Sequence, residues 1–75
     1  MLLSKDAPFR TAKDIGEGDF IKVNGAWKRV KSNTATGQQP LPDNWTVRTV
    51  DGKSYTRRQI IRYAKPGDFQ KTTVV

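Results

Sequence analysis

From Phe20 onward, apolar and polar residues alternate. The run FIKV (residues 20–23) leads into Asn24-Gly25 and continues as AWKRVKS (26–32). Alternation marks a half-buried strand, and Asn-Gly between two such runs is the strongest short signal of a hairpin. A two-residue type I′ turn predicts the pairs Val23–Ala26, Lys22–Trp27, Ile21–Lys28 and Phe20–Arg29. Successive side chains alternate faces. Ile21, Val23, Ala26, Lys28 and Val30 therefore share a mostly apolar face, while Phe20, Lys22, Trp27, Arg29 and Lys31 share a basic and aromatic one. A bulge near Val30 would exchange the two faces.

WTVRTV (45–50), Asp51-Gly52 and KSYT (53–56) repeat the pattern. A second two-residue turn predicts Val50–Lys53, Thr49–Ser54, Arg48–Tyr55 and Val47–Thr56. In that register Trp45, Val47, Thr49, Ser54 and Thr56 lie on one face. Thr46, Arg48, Val50, Lys53, Tyr55 and Arg57 lie on the other, which again gathers cations around a ring. Trp45 belongs with Val47 in the core. RRQ (57–59) interrupts the alternation and fits one 3₁₀ turn before IIRYA (60–64), a short closing strand in which Tyr63 accompanies Ile61 inward.

The flanks are less patterned. Residues 1–10 show no period and contain Pro8, so they read as a loose arm; one helical turn is expected at Ala12–Ile15, with Thr11 as N-cap and Gly16 as its end. Residues 33–44 form a polar loop with Gly37, Pro40 and Pro42, long for a connector in so small a domain. It suits a plain connection and the reading of bases or a protein surface equally. Pro66-Gly67 opens a turn and tail whose end, TTVV, adds an edge strand or frays. EGDF (17–20) and PGDF (66–69) share three letters, taken as coincidence. The expected division is an arm over 1–17, a folded unit over 18–65 and a tail over 66–75.

Strand, tight turn, strand, longer loop, strand, tight turn, strand, 3₁₀ turn, short strand: this order resembles the SH3-like small barrel. The fold class expected is mainly β, a small SH3-like five-stranded barrel with one short 3₁₀ turn and loose termini. GDFIKVNGAWKRV (18–30) is also similar to the opening hairpin of KOW-type modules of ribosomal proteins and elongation factors, with Gly18, Asp19, Ile21, Val23, Gly25 and Val30 in matching places. It departs in a tighter turn and in lacking the motif's second glycine, where Trp27, Lys28 and Arg29 stand. The resemblance implies binding to RNA or to a nucleic-acid-handling machine, and it brings no catalytic residues.

Composition then narrows the chemistry. The chain has 75 residues, no Cys and no His, which removes disulfides, thiolate metal sites, the commonest metal ligand and the commonest general base. The carboxylates are scattered; Asp14, Glu17 and Asp19 cluster without the ligand spacing of a calcium loop. GEGD lacks the strand and helix that a phosphate-cradling glycine motif needs. No enzyme, no cofactor and no metal site are expected. No apolar run approaches the ~20 residues of a membrane helix, and the N-terminus lacks the pattern of a signal peptide, so a cytoplasmic protein without a membrane partner is expected.

The net charge is +7. It is uneven: residues 1–19 sum to −1, residues 20–65 carry ten Lys/Arg against Asp43 and Asp51, and residues 66–75 are neutral. A positive field on the patterned part of the chain points to a polyanion. The nucleic-acid-binding residues expected are Lys22, Trp27, Lys28, Arg29, Lys31, Arg48, Lys53, Tyr55, Arg57, Arg58 and Arg62, with cations on phosphates and the two rings on bases or sugars. DNA and RNA both fit. The alternative is a protein-interaction module docking an acidic partner or a transcription or translation machine, on a monomer or weak homodimer. A methyl-lysine cage ranks lowest, because this surface would repel a basic tail.

Overall fold

A computed structural model describes residues 2–35 and 45–70. The strands are β1 (Phe20–Val23), β2 (Ala26–Ala35), β3 (Trp45–Thr49), β4 (Ser54–Thr56) and β5 (Arg62–Ala64). They form one antiparallel sheet in the order β4-β3-β2-β1-β5. Among the described residues, three 3₁₀ turns accompany them, at Ala12–Asp14, Arg57–Gln59 and Pro66–Asp68. The first two were expected; the third replaces a simple Pro-Gly turn.

The first hairpin has the predicted register, Phe20↔Arg29 through Val23↔Ala26. Asn24 at φ 51° and Gly25 at φ 79° are both left-handed, as a type I′ turn requires.

The second hairpin slips by one residue. Thr46 pairs with Thr56, Val47 with Tyr55 and Arg48 with Ser54. The turn holds three residues, Val50, Asp51 and Gly52. Thr49 N donates to Lys53 O at 2.9 Å, Gly52 N donates to Thr49 O at 3.0 Å, and Gly52 sits at φ 86°. This is a type I turn followed by a left-handed glycine, and Asp51 stabilises it by accepting from the Thr49 hydroxyl and from Lys53 N. A slip of one residue turns a whole strand over. Tyr55 is consequently buried opposite Val47, and Ser54 and Thr56 are exposed.

β2 is the spine. Its first half pairs with β1 and its second with β3, and the register shifts between Val30↔Thr49 and Ser32↔Arg48. Lys31 is the extra residue of a bulge. The bulge lies beyond Trp27, so the faces of the first hairpin stay as predicted; it alters the second half of the strand, bringing Asn33 opposite the buried Val47. Asn33 Nδ2 donates to Ala12 O at 2.5 Å and Ile15 O at 2.9 Å, anchoring the first 3₁₀ turn to the sheet.

The core comprises Ile21, Val23, Val30 and Val47 from the sheet, with Tyr55, Ile60, Tyr63, Ala12 and Ile15 around them and Trp45 packed alongside. Full burial of each aliphatic side chain is worth about 1.5–3 kcal/mol. Ile60, not Ile61, turns inward: the 3₁₀ turn ends at Ile60, Ile61 N is held by Lys22 O at 2.8 Å, and the Ile61 side chain is 70% exposed.

The aperiodic ends hold each other. Leu3 bridges Phe69, Gln70 N donates to Leu2 O, and Ser4 N donates to Asp68 O. Asp19 and Asp68 close similar turns: each accepts the backbone N–H three residues earlier, from Gly16 and Lys65, both at 2.8 Å. Phe20 and Phe69, the next residue in each case, meet edge to face with centroids 5.2 Å apart. Of the letters shared by EGDF and PGDF, the Asp and the Phe thus make like contacts, while Gly18 takes φ 87° and Gly67 does not have a positive φ.

Candidate functional site

Directly opposed residues in an antiparallel sheet share a face. The register β5–β1–β2 therefore lines up Arg62, Lys22 and Trp27 on the outer side, with Phe20 and Arg29 in the next row. Beyond the bulge, Arg48 stands between Ser32 and Ser54 on that side. Lys31, at the bulge, and Lys53, directly after the second turn, are exposed.

Trp27 is neither sealed in the core nor free on the surface. It is half-buried, its ring edge to face with Phe69 at 5.0 Å, and Lys22 Nζ lies 5.8 Å from its centroid. A cation near an indole face is attracted by the ring quadrupole, by about 0.5–1 kcal/mol where exposed.

Two expected site residues stand elsewhere. Tyr55 is in the core because of the register slip, and offers no ring to a ligand. Lys28 is opposite the buried Ile21, and its Nζ pairs with Asp51 Oδ2 at 3.1 Å. Arg57 and Arg58 stand together on the 3₁₀ turn between β4 and β5, which leads through Ile61, bound by its N–H to Lys22 O, into Arg62.

The carboxylates explain why so much positive charge stays unneutralised. Asp68 is bound by Arg10, which holds it below the usual carboxylate range despite burial. Asp19 accepts from Lys65 at 2.8 Å. Asp14 is lowered by the Thr11 backbone N–H it accepts. Asp51 falls to about 2, chiefly through the Thr49 hydroxyl and then through Lys28. These acids are committed to turns and to Arg10, Lys65 and Lys28. Among the described residues, Lys22, Arg29, Lys31, Arg48, Lys53, Arg58 and Arg62 form no ion pair.

A groove that the alternation does not foretell opens beside the 3₁₀ turn that precedes β5. A cavity of about 420 Å³ is lined by the arm residues Phe9, Arg10 and Lys13 together with Trp45, Arg57 and Tyr63. A second, of about 260 Å³, shares Phe9, Arg57 and Tyr63 and adds Arg58, Ile61 and Arg62. The aperiodic arm gave no signal of this docking, which depends on Asn33 and Asp68 far along the chain. Of the loop expected over 33–44, residues 33–35 belong instead to β2, which runs on in register with β3, and residues 36–44 lie outside the described residues. Comparisons with protein-family models, curated proteins and solved structures find no match to this chain.

Proposed function

We propose that the protein is a small nucleic-acid-binding module, without catalytic chemistry, whose outer β face carries phosphates on Lys22, Arg29, Arg48 and Arg62, with Lys31 and Lys53 adding to the field. One observation carries the reading: among the described residues, Asp14, Asp19, Asp51 and Asp68 are engaged in turns or in ion pairs with other cations, and these side chains form no ion pair. Each cation that replaces a condensed counterion on a phosphate adds salt-sensitive affinity. The half-buried Trp27 supplies a rigid apolar surface among them. The strand order, with a 3₁₀ turn between the last two strands, supports an SH3-like barrel with a KOW-like opening hairpin. In that hairpin Gly18 takes φ 87° and Asp19 is buried.

The test is a mobility shift with a short duplex, a single strand and an RNA at two salt concentrations. Binding is expected at ~50 mM salt and should weaken steeply as salt rises. Failure to bind any of them at the lower salt would move the assignment to a protein-interaction module with an acidic partner.

A further inference from the structure

The groove between the arm and the 3₁₀ turn combines three features. Its walls are aromatic, from Phe9, Trp45 and Tyr63, and Phe9 is 80% exposed, a large ring that the fold leaves in water. Among the described residues, its lining includes cations from both sides and no carboxylate. Its walls also hold unused hydrogen-bonding capacity: Tyr63 Oη and Arg62 Nε are buried without a partner. Exposed apolar surface rimmed by charge marks a binding site, and the larger lobe falls within the roughly 300–1,000 Å³ typical of ligand pockets.

A fitting ligand has flat apolar units, negative charge between them, and enough freedom to turn each flat unit into a lobe. Duplex DNA keeps its base faces stacked inside and presents only phosphates, sugars and base edges. We infer that this groove takes two successive unpaired nucleotides of a single-stranded nucleic acid. The bases lie against Phe9 and Trp45, and the phosphates lie at Lys13 and Arg58. The inference rests on the nucleic-acid reading above and gives it a substrate class: the outer face holds backbone, and the groove selects single strands.

The experiment compares Phe9→Ala and Arg58→Ala with the outer-face double variant Lys22→Ala/Arg29→Ala, by anisotropy of labelled oligo(dT), oligo(U) and a hairpin duplex. Both substituted groove side chains are exposed, and thermal melting checks that the fold is kept. Phe9→Ala should weaken single-strand binding by about tenfold, in line with base–aromatic stacking of ~1–3 kcal/mol, and leave duplex affinity within about threefold, whereas Arg58→Ala should flatten the single-strand plot of log affinity against log salt by about 0.7 for the phosphate it no longer neutralises. Photocrosslinking of a thiouridine-bearing oligo(U) should map to residues 9–13 and Trp45. Single-strand affinity untouched by the groove variants, with crosslinks on β1 and β2, overturns the groove while leaving nucleic-acid binding in place. Absence of any nucleic-acid binding at ~50 mM salt overturns both readings. A groove that binds an acidic, proline-containing peptide and not the oligonucleotides assigns it to a protein partner and overturns the inference.

Discussion

Arg10 grips Asp68 with Nε at 2.6 Å and Nη2 at 2.9 Å, across 58 positions of chain. The bidentate pair ties the arm to the 3₁₀ turn Pro66–Asp68, and Asp68 also accepts the backbone N–H of Lys65, just before that turn. Asp68→Asn keeps the shape but leaves the guanidinium facing a neutral amide. The expected result is a lower midpoint in urea with the slope unchanged, and faster proteolysis within residues 1–10. Equal stability and equal cleavage would show that the arm is held by other contacts.

Acid should weaken the fold in a defined window. Asp51 and Asp68 are both depressed relative to an unfolded carboxylate, chiefly by the Thr49 hydroxyl and by Arg10 respectively. A depressed carboxylate contributes stability that is complete above its unfolded pKa of about 3.9 and is lost as pH falls through the folded value. Urea midpoints tracked by circular dichroism should therefore drop below ~pH 4, and for Asp51 the loss continues to about pH 2. Asp51→Asn should flatten part of that decline. Stability that rises on acidification would contradict the assigned contacts.

The register slip makes Tyr55 and Arg48 trade importance. Tyr55→Ala removes a buried ring and should cost about 3–5 kcal/mol, by analogy with other large aromatic truncations. Arg48→Ala, on the outer side, should stay within about 0.5 kcal/mol. Chemical denaturation separates the two cleanly. The opposite ranking would restore the two-residue turn.

Two glycines should behave differently under the same substitution. Gly25 sits at φ 79°, where a Cβ is strained, so Gly25→Ala should destabilise by about 1–2 kcal/mol. Gly67 has no such dihedral and open space around its Cβ position, so Gly67→Ala should be neutral or stabilising by up to about 1 kcal/mol. Thermal melts of the pair check this.

Salt dependence reports on the outer face. For a duplex, the triple variant Lys22→Ala/Arg29→Ala/Arg48→Ala should flatten the plot of log affinity against log salt by about 0.9 for each phosphate no longer neutralised. An unchanged slope would place the phosphates elsewhere.

Much of the sheet was legible because its rules are local. Asn24-Gly25 fixes turn type, turn type fixes register, and register sorts Ile21 and Val23 from Lys22 and Trp27. Asp51-Gly52 looked equivalent and was not. The Asp51 side chain competes as a turn acceptor, and its hydrogen bonds select a three-residue turn that no alternation reveals. Alternation points Ile61 inward with Tyr63, yet Ile60 takes that place for a similar reason, since the face depends on where the 3₁₀ turn hands over to the strand. The groove was hidden because it is assembled from an unpatterned arm and from Trp45 and Tyr63, which local periodicity assigns only to an interior. Of the residues expected to meet a ligand, Tyr55 was misplaced by register, and Lys28 was set on the apolar face by the alternation itself.

Lys31 acts as a frame-setter for a distant segment. With that one extra residue in β2, Asn33 reaches the carbonyls of Ala12 and Ile15. Without it, position parity would aim the amide at solvent, and the amino-terminal stretch would lose its clasp on the sheet. Shortening the chain by a single lysine on the surface would thus unfasten one wall of a cleft built some twenty positions upstream.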